Sequence, residues 1–383
     1  MRAPVSRLPD VGTTIFTVMS QLAAETGAVN LGQGFPDFDV PAPLTDLLAQ
    51  AVREGRNQYA PMAGLLPLRE AIADTTASLY GRRVDAGSEI TVTSGATEAI
   101  FNAILAVVQP GDEVIVLDPC YDSYEPGVRM AGGVCVHVAL RGDDFSIDWP
   151  AVERALTPRT RAIIVNSPHN PSGAVWSAAD VARLAELAEC HDLFVISDEV
   201  YEHIVFDGAR HESVLRHDAL ASRAFVVSSF GKTYHCTGWK VGYCIAPAPL
   251  TVEFRKVHQY NTFATSTPAQ WAFAGMLREH ADHHHALGAF YQAKRDRFRA
   301  QLESTRLRPL GVAGSYFQLV DYSAVADVDD LTFARALCTT HGVASIPLSP
   351  FYQSPPRGQR LVRLCFAKHD ATLDAAMTRL RAI

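Results

Sequence analysis

Val226-Val227-Ser228-Ser229-Phe230-Gly231-Lys232 runs from β-branched residues through two serines to a lysine, and Thr237-Gly238-Trp239-Lys240 follows with a second cation. An apolar run ending in small polar residues reads as a buried strand that opens onto a loop. At the mouth of a parallel sheet such a lysine is where a Schiff base to a carbonyl cofactor can form. Ser229 and Lys240 are spaced to hold a phosphate beside it. A solvated loop lysine is the plainer reading of this stretch alone, so the surrounding chain has to decide.

Upstream, short apolar runs at 90–93, 113–117, 134–138, 162–166, 193–197, 224–228 and 241–246 are rich in valine and isoleucine and apolar on both faces, which predicts strands of a largely parallel, doubly covered sheet. Helical patterns at 97–108 and 178–190 lie between them. The expected fold is α/β: a large domain with a mostly parallel seven-stranded sheet flanked by helices, plus a smaller α+β domain. Ligands in open α/β sheets bind at the carboxyl ends of strands. The small domain is expected over 281–383, with a charged helix through 294–303, strands at 316–320 and 361–366, and a helix at 331–340. Residues 46–280 form the large domain. Residues 1–45 show no regular pattern and are expected to pack with the small domain.

The chain has 383 residues, 48% apolar and 20% charged, with a net charge of −7. That length predicts more than one domain. The negative charge argues against a nucleic-acid partner. No window suits a membrane span, and residues 1–10 lack the apolar core of a signal peptide. Seven cysteines without regular spacing predict buried, reduced thiols and a cytoplasmic location. His280, His283, His284 and His285 lie in a polar helix-like segment without suitable co-ligands, so a solvated face and no metal site is expected.

Four more segments matter, three of them at predicted strand ends. Thr93-Ser94-Gly95-Ala96-Thr97-Glu98 joins a strand to a helix start, which suits a phosphate; an ordinary start capped by Ser94 or Thr97 is the alternative. Asp198 follows a buried run, and a protonated ring nitrogen would be a fitting partner for its carboxylate; an N-cap ahead of Glu199 is the other reading. Tyr201 is placed to reach the same ring. In Asn166-Ser167-Pro168-His169-Asn170-Pro171-Ser172-Gly173 the turn residues fix the asparagines, as ring-oxygen donors or as an Asx turn. Arg363 interrupts the apolar pattern Leu361-Val362-Arg363-Leu364-Cys365-Phe366 and needs a partner, either a substrate carboxylate or a structural acid.

Together these segments resemble the fold type I, class I/II aminotransferases that use pyridoxal 5′-phosphate, and within them the methionine and kynurenine (glutamine) transaminase branch. The likeness also rests on Ile15-Phe16-Thr17-Val18-Met19-Ser20, Asn30-Leu31-Gly32-Gln33-Gly34-Phe35-Pro36-Asp37-Phe38 and Asn57-Gln58-Tyr59-Ala60-Pro61. The resemblance implies an aspartate-aminotransferase-like fold. It implies that Lys232 bonds the cofactor covalently, that Asp198 partners the pyridine nitrogen, and that Asn170 and Tyr201 bond the ring hydroxyl. It makes Tyr121 the stacking aromatic, and Gly95, Ala96, Thr97, Ser229 and Lys240 the phosphate cup. Lys240 stands where many members carry arginine, so the phosphate contact keeps its charge and loses the bidentate fork. Tyr59 resembles a tyrosine that reaches the phosphate of a neighbouring subunit, which implies a homodimer, with Phe263 crossing likewise. Gly34, Asn170 and Arg363 resemble the substrate carboxylate site, and Phe16 and Phe263 complete an uncharged pocket.

Amino acids and 2-oxo acids are then the expected small-molecule partners, with methionine the first donor and phenylalanine, tyrosine, glutamine and kynurenine behind it. β-Lyase action on cysteine conjugates shares the fold. A non-catalytic cofactor-binding regulator would need a DNA-binding domain and a basic face. A dinucleotide dehydrogenase would need G-x-G-x-x-G after an early strand, and none is present.

Overall fold

The computed structural model describes residues 5–383. Its centre is a seven-stranded sheet of β1 (Ile90–Thr93), β2 (Glu113–Asp118), β3 (Val134–Ala139), β4 (Thr160–Asn166), β5 (Phe194–Asp198), β6 (Ala224–Ser229) and β7 (Gly242–Ile245) in the spatial order β1-β7-β6-β5-β4-β2-β3. All neighbours are parallel except β7, which runs antiparallel to β1 and β6. Along β2, Ile115 and Leu117 enter one apolar cluster while Val114 and Val116 enter another. Both faces are therefore covered, which is why the strand read as a continuous apolar run. At β3 the expectation of two apolar faces fails: it is an edge strand, and Val134 is exposed.

A second sheet, β8 (Arg308–Pro309), β9 (Phe317–Asp321), β10 (Ile346–Pro347) and β11 (Leu361–Cys365), is antiparallel in the order β10-β11-β9-β8. Against expectation, the amino-terminal segment contains a regular element, helix α1 (Ile15–Thr26), capped by the Thr14 hydroxyl and closed by Gly27 in the left-handed region. Met19 and Ala23 of α1 are buried, and Ile15, Phe16 and Leu22 pack half-buried against the same cluster, an apolar face at helical spacing. Val29–Asn30 pairs in parallel with Val343–Ala344, and Met19, Ala23 and Leu31 share an apolar cluster with the second sheet.

The register of the large sheet builds the site. Asn166 is level with Asp198, and Asp198 with Val227, so three carboxyl ends open side by side. Ser229 is level with Gly242. A Cβ on Gly242 would lie 2.6 Å from the Ser228 oxygen and 2.9 Å from the Ala96 nitrogen, so only glycine lets β7 come this close to the loop after β1.

Two smaller expectations are corrected. Helix α5 (Asp282–Leu302) lies against the loop after Lys232, so the histidine segment is not uniformly solvated. His284 is buried with its ring 5.0 Å from His203, His283 pairs with the Thr233 carbonyl at 3.0 Å, and His285 alone is exposed. All seven cysteines are free, but Cys190 is exposed at the end of its helix and Cys135 is half-buried.

Candidate active site

Strand β6 ends at Ser229 and passes into the single-turn helix α4 (Phe230–Thr233), which carries Lys232 into a cavity of about 260 Å³. The ammonium sits 3.3 Å from the Gly34 carbonyl, which also accepts the Tyr316 hydroxyl at 2.7 Å. Burial, with the charges of Arg363 and Lys240 acting in the same sense, pulls the Lys232 pKa down to about 8. The amine is poised to lose its proton near neutral pH, as a nucleophile or base requires.

Asp198 is buried at the end of β5. No helix follows it, so the N-cap reading is set aside; it opens a turn in which its Oδ1 accepts the Val200 N–H at 3.3 Å. Its other oxygen accepts the Tyr124 hydroxyl at 2.7 Å, from helix α3 (Tyr124–Met130). Burial pushes the carboxyl up to about 6, and the Tyr124 bond opposes that. Asn166 donates to the Asp198 carbonyl at 2.8 Å and its own oxygen accepts the Asn170 N–H at 2.8 Å, which fixes the second asparagine.

The Asn170 oxygen accepts from Arg363 at 2.7 Å, leaving the Asn170 amide protons free to donate into the cavity. Arg363 is fully buried on β11, bonds the Gly32 carbonyl at 3.0 Å, and lies 4.0 Å from the Phe317 ring centre and 5.1 Å from that of Phe16. Among the described residues no carboxylate pairs with it, and its Nε has no partner. The structural ion pair entertained for this arginine is absent among the described residues, and a buried guanidinium in that state suits an incoming carboxylate.

Helix α2 (Ala96–Val107) begins at Gly95, with φ of 81°, and no side chain caps it. Neither Ser94 nor Thr97 is the cap, and the first N–H groups stay open. A Cβ on Gly95 would meet Lys240 Cε and Nζ at 3.3 Å, so glycine gives the lysine room beside the helix start. With Ser229, these groups form a cationic, donor-rich cradle. Burial raises the Tyr121 hydroxyl to about 12, partly offset by a bond with Thr97, and burial also pushes up that of Tyr201, whose ring lies 5.6 Å from the Lys232 ammonium.

Phe16, Gly34, Gly95, Ala96, Thr97, Tyr121, Asn170, Asp198, Tyr201, Ser229, Lys232, Lys240 and Arg363 therefore line one cavity. Tyr59 and Phe263 do not. They stand together outside it, ring centres 5.8 Å apart, 86% and 41% exposed. Tyr124, Tyr316 and Phe317 escaped the sequence reading. For Tyr124 the available signal was its position three residues beyond Tyr121, at the start of the helix that follows.

The family model for aminotransferase class I and II matches residues 26–380. The chain belongs to that family. An Escherichia coli methionine aminotransferase is 55% identical over 380 residues, covering 99% of this chain and 98% of that protein. A solved structure reporting a methionine aminotransferase function in the same organism superposes with a TM-score of 0.98 and covers 100% of both chains at 55% identity. Mouse kynurenine–oxoglutarate transaminase 3 is 35% identical over 98% of this chain and 89% of its own length. A Thermus thermophilus aspartate aminotransferase superposes with a TM-score of 0.91 at 33% identity over 100% of both chains. Aminotransferases of this class depend in general on pyridoxal 5′-phosphate, and the residues present fit it. A buried lysine with a lowered pKa, a buried carboxylate, an open helix start with a lysine beside it and an unpaired arginine meet the amine, ring nitrogen, phosphate and substrate requirements in one cavity.

Proposed function

We propose that this aminotransferase holds pyridoxal 5′-phosphate on Lys232 and takes methionine as its first donor, with other apolar or aromatic amino acids behind it. The observation that carries the reading is the convergence of Lys232, Asp198 and the unpaired Arg363 on one cavity. Bound there, the cofactor supplies an electron sink for the charge left when the substrate's α-proton departs. Asp198 keeps a positive charge on the ring nitrogen, with Tyr124 orienting its carboxylate. Tyr201 and the free Asn170 amide donate toward the ring oxygen, and Tyr121 covers the ring face. The cradle of Gly95, Ala96, Thr97, Ser229 and Lys240 anchors the phosphate. Arg363 pairs the substrate carboxylate through two parallel bonds, which positions the α-proton for the Lys232 amine. That amine takes the proton and later returns it, and its lowered pKa keeps the neutral form available.

The donor preference follows from the walls. Phe16, Tyr121 and Phe317 are aromatic, and Lys232, Lys240 and Arg363 are the only Lys or Arg side chains among the lining residues. All three have tasks already, so a side-chain carboxylate would lack a counter-ion, which costs several kcal/mol in a buried site. Each buried methylene of an apolar donor adds about 0.8 kcal/mol. The kinship with the E. coli methionine enzyme points the same way. Comparing kcat/KM for methionine and aspartate under one acceptor tests this: methionine should win, and a better rate with aspartate overturns it.

In this reading the enzyme is a homodimer, with Tyr59 and Phe263 entering the partner's site; their shared exposure outside this chain's own cavity supports it. The segments 1–45, 46–280 and 281–383 act as arm, cofactor domain and small domain. Seven free thiols favour the cytoplasm.

A further inference from the structure

Behind the phosphate cradle, and outside the cavity lining, Glu98 stands in the first turn of α2. Its side chain is 7% exposed and takes three donors: the Ser94 N–H, the Asn102 amide at 2.9 Å and the His258 ring at 2.6 Å. Burial opposes its ionisation, but the His258 bond and charge, with the other two bonds, hold the carboxyl below its ordinary value. An ionised carboxylate therefore sits in the same helical turn as the N–H groups left open for a phosphate. Lys240 is the one cation of that cradle, and an unbalanced Glu98 would offset much of its attraction.

His258 supplies the balance. Its ring comes from the helix Ala248–Asn261 and its side chain is fully buried. Nδ1 faces Glu98, and Nε2 faces the Met62 carbonyl at 3.0 Å. Both partners only accept, so both nitrogens carry protons and the ring is a cation. Among the described residues Glu98 has no other cationic partner. The bond from the Ser94 N–H is by itself an ordinary way to close a helix start, and a neutral glutamine would accept it as well. What that bond does not require is a buried cation behind it.

We propose that Glu98 and His258 are positioning residues of the cofactor site: Glu98 fixes the Ser94 turn that leaves the α2 N–H groups open, and His258 cancels the charge this brings beside the phosphate. The inference rests on the phosphate reading of the cradle given above. It carries an asymmetry. Losing His258 alone sets an unbalanced carboxylate against the phosphate, whereas losing both charges together does not.

Pyridoxal and pyridoxal 5′-phosphate differ only in the phosphate. The ratio of their affinities for the full-length enzyme freed of cofactor therefore separates this effect from the bond to Lys232. The unmodified enzyme should favour the phosphate form by about a hundredfold or more. His258→Gln should cut that ratio about tenfold, and the double variant Glu98→Gln/His258→Gln should bring it back to within about threefold of the starting value. Glu98→Gln alone, whose amide can donate to a neutral His258 ring, should keep it. An unchanged ratio in His258→Gln overturns the proposal, as does a double variant no better than His258→Gln, because a purely structural pair loses more with each change. If His258→Gln does not fold, Glu98→Gln decides: a kept ratio supports the charge balance, and a tenfold fall overturns it. An unmodified enzyme that binds both forms equally removes the phosphate reading itself, so the two failures are distinct.

Discussion

Removing one hydroxyl, in Tyr124→Phe, separates a positioning role from simple packing. The Tyr124 hydroxyl gives Asp198 a 2.7 Å bond inside the protein, and a bond to a charged group in such a place contributes about 1.5–3 kcal/mol. It favours the ionised carboxylate, so it lowers the Asp198 pKa. With the bond in place the folded value is about 6 against 3.8 for the free side chain. At 1.36 kcal/mol per pH unit, losing the bond should lift the folded value by about one to two units, to roughly 7–8. A carboxyl whose pKa is raised by folding destabilises the folded state progressively as pH climbs through its folded value. At pH 5 Asp198 is protonated in both folded proteins, and the linkage part of the difference vanishes. By about pH 8.5 it approaches 1.5–3 kcal/mol. Urea unfolding of the cofactor-free proteins at the two pH values reads this directly, and the change with pH removes any constant packing loss. A variant equally destabilised at pH 5 and 8.5 would show that the hydroxyl fills space and does nothing to the charge of Asp198.

Lys232→Ala should abolish turnover, and borohydride reduction of the loaded enzyme with peptide mapping should place the cofactor on Lys232; a label on Lys240 instead removes the assignment. Because the Lys232 pKa is held down to about 8, its reactive neutral form grows as pH rises through that value. Cofactor uptake by the cofactor-free enzyme should therefore level off just above pH 8, and a rise that continues past about 10 would indicate an ordinary lysine. Gly242→Ala forces a Cβ to 2.6 Å from a backbone oxygen, so denaturant unfolding should report a loss of about 3 kcal/mol or more, and a loss under about 1 kcal/mol would mean the strands yield. Sedimentation should give a dimer, and Tyr59→Ala should weaken cofactor binding about tenfold through a lost phosphate bond; a fully active monomer at assay concentration contradicts the crossing tyrosine.

The large sheet was legible because strands buried on both faces carry their signal locally: Val226 to Ser229 had to be apolar and then small wherever the chain went next. Asp198, Asn170 and Lys232 were legible for a related reason, since each is a polar residue set where an apolar run stops, and strand ends are where such sheets bind ligands. Helix α1 was missed although Ile15, Phe16, Met19, Leu22 and Ala23 recur at helical spacing, and the sheet that this face meets lies some three hundred residues further on. Tyr124 and Asp198 lie 74 residues apart, and they touch because helix α3 and the end of β5 meet beside the cofactor cavity. The split has a physical basis. Residues that bind the shared chemistry of a fold sit where local pattern breaks, whereas one that tunes a charge, as Tyr124 does for Asp198, acts through a partner distant in the chain.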